Sequence, residues 1–309
     1  MNLKISATAL CIAALTSGLA SAGTGKLLLT GGVGSIDGAA GGGLTPWAVI
    51  GTPATEGEVG FSATVTQAPT QDYSLMTTGV AVGFNDRIEL SFNRQTFDAS
   101  PATKLNGLGF NVSSGEKLNM DIIGVKVKVA GDAILNSDSL MPQIAIGVEQ
   151  KTLNAASITP VLNFLGAKTT GTDLYVSATK LFLGQSLLVN GTLRYTNANQ
   201  NGLLGFGSAA PGKNEASLLP EVSVAYLINK NVAVGAEYRA MPNNLRDLGR
   251  AAGLGEGLAA DDWKDLFVAW APNKNVSLTL AYVDLGRIVP AITDGRTQTG
   301  YYVSAQFGF

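Results

Sequence analysis

Glu237 and Arg239 stand two residues apart in Asn231-Val-Ala-Val-Gly-Ala-Glu-Tyr-Arg-Ala-Met241, and Lys126 and Lys128 stand likewise among valines. A spacing of two puts both side chains on one face of a strand. Val232, Val234, Ala236 and Tyr238, like Ile123, Val125, Val127 and Val129, then take the opposite face. The same parity gathers Glu58, Arg87, Glu89, Glu149, Arg194 and Glu221 with the first group, five acids and five bases in all. Charges so placed can line a water-filled passage with little ion selectivity, since their signs are mixed. They can equally pair across neighbouring strands and fill the interior, because an unpaired internal charge is costly. Lys126 and Lys128 are flanked in sequence by segments carrying Glu89 and Glu149, so pairing is geometrically easy. Both readings stay open.

Other chemistry is excluded by what the chain lacks. Histidine is absent, which removes Ser-His-Asp triads, imidazole acid–base catalysis and His-ligated zinc. The single cysteine, Cys11, lies in the apolar leader, so residues 23–309 offer no thiol or disulfide. Gly207 to Lys213 begins like a phosphate-binding loop, but Asn214 stands where Ser or Thr would bind magnesium. Asn197 to Gly202 opens like a calcium loop, yet Ser208 takes the place of the bidentate Glu, which favours an Asn/Gly turn. No catalytic, cofactor-binding or metal-binding residue is assigned, and enzymatic activity is not expected. A net charge of −2 gives no reason to expect nucleic-acid binding.

The elements that must position the charged face are strands. Alternating segments of roughly the length of a tilted membrane-spanning strand recur near 57–67, 73–84, 87–97, 119–130, 142–150, 172–182, 186–197, 217–228, 231–241, 263–271, 275–284 and 299–309. Tight turns at Phe84-Asn-Asp-Arg87, Leu183-Gly184-Gln185, Asn229-Lys230-Asn231 and Pro272-Asn-Lys-Asn275 alternate with long connections near 98–118, 151–171, 198–216, 242–262 and 285–298. A medium connection at 131–141 belongs to the short set. In an up-and-down barrel this alternation puts tight turns on one rim and long loops on the other. Charged residues are only 14% of the chain, and no apolar run beyond the leader is long enough for a spanning helix. The expected fold is therefore an all-β transmembrane antiparallel up-and-down β-barrel of about 12 strands, with 14 possible if Lys26–Leu29 and Leu44–Ile50 are strands. The glycine-rich stretch Gly31 to Gly43 between those two reads as a flexible segment or a plug.

Tyr195, Tyr226, Tyr238, Trp270, Tyr282 and Tyr301 have outward parity, as expected of aromatic belts at the two membrane interfaces. Lys180 breaks the pattern, standing in phase with Leu174, Val176 and Ala178; a snorkelling side chain or a bulge would accommodate it. Within 242–262, Leu245, Leu248 and Ala252 could share one side of a short helix that caps the rim or constricts the mouth.

The two ends give an address. Lys4, an apolar stretch to Leu19 and Ala20-Ser21-Ala22 read as a cleaved signal peptide over residues 1–22. The remainder divides into a Gly-rich segment at 23–56 and a barrel at 57–309. At the other end, Tyr301, Val303, Ala305, Phe307 and Phe309 alternate with Tyr302, Ser304, Gln306 and Gly308. This ending resembles the C-terminal signal read by the barrel-assembly machinery, with Phe307 and Phe309 in its aromatic places and Ser304 and Tyr302 departing from its usual residues.

At Gly25-Lys-Leu-Leu-Leu-Thr-Gly-Gly32, Gly41-Gly-Gly-Leu-Thr-Pro-Trp47, Gly79 to Phe92 and Thr172 to Lys180, the chain resembles a proteobacterial family numbered three-zero-three-four among the domains of unknown function. The resemblance implies a Gram-negative outer-membrane address and carries over no activity or functional residue. The resulting expectation is a porin-like passive channel for small solutes, in contact with outer-membrane lipid and the barrel-assembly machinery, without cofactor. The alternative is a plugged barrel with a structural or surface-binding role.

Overall fold

The structure, a computed structural model, describes residue 26, residues 28–131 and residues 140–309. The expected leader at 1–22 and most of the connection at 131–141 lie outside the described residues.

Two two-residue strands, β1 (Val33–Gly34) and β2 (Ala40–Gly41), form a small hairpin. Twelve longer strands follow: β3 (Val59–Pro69), β4 (Ser74–Phe84), β5 (Ile88–Asp98), β6 (Lys117–Ala130), β7 (Gln143–Asn154), β8 (Thr170–Phe182), β9 (Leu187–Thr196), β10 (Ser217–Asn229), β11 (Val232–Arg239), β12 (Trp263–Asn273), β13 (Val276–Arg287) and β14 (Thr297–Gly308). Each of the twelve pairs antiparallel with its sequence neighbours, and β14 pairs with β3, so the sheet closes as an up-and-down barrel. Closure extends to the last residue, where Phe61 and Phe309 exchange backbone hydrogen bonds of 2.7 and 2.8 Å. The barrel has twelve strands and not fourteen, because residues 44–50 form no strand and lie inside the wall.

The wall follows the period-two pattern. In β5 exposed and buried residues alternate along the strand, and Ile88, Leu90 and Phe92 face outward. Val125, Val176, Leu193, Val222, Val268 and Leu280 continue this exposed apolar surface around the barrel. An apolar girdle of this extent far exceeds what water-facing proteins leave uncovered, and it suits the hydrocarbon of a bilayer. Among the described residues no helix is long and apolar enough to cross a membrane; the strands do the crossing.

Tight turns and long loops fall on opposite rims. At the first tight turn Asn85 and Asp86 adopt φ of 55° and 47°, left-handed values that the short polar side chains of Asn and Asp tolerate. The long loops 99–116, 155–169, 197–216, 240–262 and 288–296 share the other rim with one short connection, 70–73. Short helices at Ser100–Leu108, Thr159–Leu165 and Arg246–Ala251 fold these loops over the mouth.

Lys180 sits in β8 with no register shift on either side. It is buried at the tight-turn end, where its Nζ donates to Met141 O at 3.3 Å. The pairing of β8 with both neighbours therefore continues without a bulge.

Candidate functional site

The interior of the barrel is occupied by residues 33–52. Chain inside a barrel without strand partners must have its backbone polar groups satisfied by other means, and the wall's inward side chains supply them. Asn93 and Gln95 of β5 donate to Ile36 O. Glu89 accepts from Ala40 N at 2.9 Å and Gly51 N at 2.7 Å. Pro46 O accepts from Ser177, Asn190 and Thr192 at 3.1, 3.3 and 2.8 Å. Gln143 donates to Ala48 O, while Ala48 N donates to Thr179 Oγ1. Trp47 Nε1 reaches Ser223 Oγ at 2.9 Å, and Gly34 N donates to Gln306 of β14. The insert is thereby bound to strands around most of the wall.

Glycine makes the close approaches possible. A Cβ on Gly42 would stand 2.3 Å from Glu237 Oε1, and one on Gly34 2.4 Å from Thr64 Oγ1.

The charged residues converge on Asp37, which the sequence reading missed. Arg239 Nη1 lies 2.8 Å from Asp37 Oδ2, Lys151 Nζ 3.4 Å from Oδ1, and Arg194 Nη2 3.8 Å from Oδ2. Arg194 also reaches Glu221 at 2.6 Å and Glu149 at 2.8 Å, and Lys151 reaches Asp173 at 2.9 Å. Asn201, from the long loop after β9, donates to Asp37 Oδ1 at 2.6 Å; its own Oδ1 accepts from Lys151 and Arg239, both at 2.7 Å. Tyr175 lies beneath the Arg194 guanidinium, 5.3 Å from ring centre to Cζ. It occupies space left by Gly147, whose Cβ would stand 2.1 Å from the Tyr175 ring. All the charged members are at most 2% exposed, so the network sits in low dielectric, where unlike charges attract strongly and an unpaired one is costly.

Of the ten charged residues read as internal from parity, Glu149, Arg194, Glu221 and Arg239 belong to this network. Glu89 and Lys126 form a separate pair at 3.0 Å against the insert, with Lys126 Nζ donating to Ala40 O. Glu237 accepts from Leu44 N, Thr45 Oγ1 and Ser223 Oγ at 2.7, 2.6 and 2.7 Å, and Asp265 stands opposite it in register. Lys128 is buried near the tight-turn rim, paired at 2.7 Å with Asp86. Glu58 is half-buried just before β3 and accepts from Thr55 N and Oγ1 at 2.8 and 2.9 Å; these bonds hold its carboxyl below the usual range. Arg87 is a correction. It is exposed outside the lumen, because β5 begins at Ile88 and Arg87 is the last residue of the tight turn.

The six aromatic residues assigned to the belts all lie on the outer wall. Tyr195 and Tyr238 are near the long-loop ends of β9 and β11, and Tyr226 and Trp270 near the tight-turn ends of β10 and β12. Tyr282 and Tyr301 meet edge to face at 6.0 Å. Phe307 and Phe309 are part-exposed on the tight-turn rim.

Among the described residues, the spaces left around the occupied middle include one at each rim. A vestibule of about 160 Å³ opens at the tight-turn rim between the insert and the ends of β12–β14. The second, at the opposite mouth, is apolar. Among the described residues no cluster of three or more His, Cys, Asp or Glu side chains is arranged to hold a metal. The loop that begins like a phosphate site folds instead against a neighbouring loop, where Ser208 Oγ donates to Asn244 O at 2.7 Å.

With this geometry established, the family described as "Protein of unknown function (DUF3034)" matches residues 30–306. No match is found among curated proteins. Among solved structures, the NanC porin is similar at 12% identity and a TM-score of 0.49, covering 79% of this chain and 98% of its own. The KdgM porin, in complex with disordered oligogalacturonate, gives 10% and 0.47 over 80% and 99%. The Acinetobacter baumannii outer membrane protein Omp33 gives 10% and 0.40 over 81% and 97%.

Proposed function

This chain belongs to the DUF3034 family of proteins of unknown function, and from that starting point we propose that it is an outer-membrane channel barrel held closed by its N-terminal insert. On this reading residues 1–22 are a removed leader, 23–56 form the insert and 57–309 the barrel. Small solutes pass only when the insert leaves its seat. Outer-membrane lipid covers the outer wall, and Phe307 and Phe309 present the chain to the barrel-assembly machinery.

The observation that carries the proposal is the seating of Asp37 among Arg239, Lys151 and Arg194. A twelve-stranded wall is wide enough to leave internal space, and here Leu44, Trp47 and Ile50 of the insert occupy part of that space, all at most 4% exposed. The lumen charges therefore act as a latch for the insert and not as the lining of a standing water column.

Planar-bilayer recording tests this. The intact protein is expected to be silent, and a chain lacking residues 28–52 to give stepwise conductance. Steady stepwise current through the intact, folded barrel would overturn the proposal. A permanently shut barrel with a structural or surface-binding role is the second reading, favoured by the apolar loops folded over the mouth. Asp37→Ala separates the two: brief openings mark a displaceable insert, and silence broken only by the deletion marks a fixed one.

A further inference from the structure

The mouth on the long-loop rim holds a cavity of about 400 Å³ in which every lining residue is apolar or aromatic. Its wall comes from five different loops, including Ala102, Val161, Leu245 and Ile292, all buried. The floor is Tyr73 stacked on Phe97 with centroids 5.0 Å apart. The one hydroxyl there, that of Tyr73, already donates to Ile288 O at 3.2 Å; burial pushes its pKa well above the usual phenol range, so it adds no charge.

A space of this size and lining is suited to an occupant. Protein interiors pack as densely as organic crystals, and voids larger than a water molecule are few. An apolar void of this kind does not hold water, which needs two to four polar partners, but takes up apolar molecules instead. Its size falls in the range of about 300–1,000 Å³ found for sites that enclose small organic ligands. The cavity reaches the surface at Leu108 and Phe164, lining residues that stand at 69% and 76% exposure.

We propose that this cavity is a binding site for a small apolar molecule, a hydrocarbon or an alkyl or acyl chain, entering from the long-loop side of the barrel. The ligand needs no counter-charge, because no Asp, Glu, Lys or Arg side chain lines the site. The site goes beyond the closed-channel reading and does not depend on it, since the cavity lies in the loops. Leu204 of the wall is three residues from Asn201, so the loop that helps line the cavity also carries the residue that holds Asp37.

The test uses the full barrel in lipid nanodiscs and, as probe, a dodecane carrying a terminal trifluoromethyl group, followed by fluorine NMR against empty discs. A distinct, saturable bound resonance is expected. Ala102→Trp and Val161→Trp each fill the space and are expected to abolish it, while Leu266→Trp on the lipid-facing wall keeps it. Heat-modifiable gel migration shows that each variant is folded. Displacement by unlabelled dodecane identifies a free hydrocarbon as the preferred ligand, and displacement only by phospholipid or lipopolysaccharide identifies the acyl chain of a membrane lipid; either supports the site. The proposal is overturned if the intact barrel gives no resonance beyond that of empty discs, or if the resonance survives in both filled variants. Bilayer conductance is read separately, so failure of one proposal leaves the other standing.

Discussion

Asp37 and Arg239 are 202 residues apart in the chain and 2.8 Å apart in the folded barrel. The first belongs to a glycine-rich segment without strand periodicity, the second to the inward face of β11. Their meeting joins insert to wall, and Lys151, Arg194 and Asn201 converge on the same carboxylate from β7, β9 and a long loop.

Removing the Asp37 carboxylate leaves three buried cations sharing fewer anions. Asp37→Ala is expected to lower barrel stability by about 3–5 kcal/mol, the usual cost of breaking a buried ion pair from one side. Urea unfolding in lipid vesicles, followed by tryptophan fluorescence, measures the loss.

Glu89 and Lys126, 3.0 Å apart and both 1% exposed, form a simpler buried pair. Each single change, Glu89→Gln or Lys126→Met, is expected to destabilise strongly. The double variant should cost clearly less than the sum of the two, because no charge is left unpaired. Costs that simply add in the double-mutant cycle would show that the pair does not act as a unit.

Gly147 gives room to the Tyr175 ring, on which Arg194 rests. Gly147→Ala forces the ring aside and is expected to cost about 1–3 kcal/mol through overpacking. The conservative Tyr175→Phe keeps the ring and should be tolerated far better; chemical denaturation of both variants makes the comparison.

Val268 lies near the midpoint of β12 on the outer wall and is 46% exposed. If hydrocarbon covers that wall, Val268→Arg should reduce folding stability by about 2–4 kcal/mol. Refolding into vesicles against a urea gradient reads this directly, and an Arg tolerated there without cost would contradict a lipid-facing surface.

On the long-loop rim, Arg287 donates to Asp261 through Nε and Nη2 at 2.7 and 2.8 Å. That hydrogen-bonded guanidinium holds the Asp261 carboxyl below its usual range. A depressed folded pKa stabilises the loop above the unfolded value of about 3.9, and that stability is lost as pH falls through the lower folded value. Protease nicking within 240–262 should therefore stay slow at neutral and mildly acidic pH and rise only in stronger acid. Arg287→Gln should weaken the protection already present at neutral pH.

Much of the wall was legible in the sequence because a barrel strand carries its two environments as a period of two. Val232, Val234 and Ala236 against Ala233, Gly235 and Glu237 announce both faces of β11. Asp173, in phase with Tyr175, Ser177 and Thr179, was equally readable. Asp265 was hidden because its inward neighbours Phe267 and Ala269 are as apolar as the lipid side. Lys151 required knowing that β7 runs on to Asn154. Arg87 was misplaced because parity shows which way a side chain points in a strand but not where the strand begins. Asp37 and Asn201 carry no local pattern: one sits among glycines and the other in a turn with φ of 62°. Both acquire their roles only through contacts closed by the whole barrel.

Current through a barrel whose insert is locked in its seat tests the account most directly. A Cβ on Gly34 would stand 3.0 Å from Thr64 Cβ, so a shift of about 0.5–1 Å brings a Gly34→Cys/Thr64→Cys pair to disulfide spacing, and residues 23–309 contain no cysteine to compete. Planar bilayers holding the oxidised protein should show no stepwise current at any applied voltage. Stepwise current while the crosslink is intact would mean that ions pass beside a seated insert and that the lumen is not closed by it.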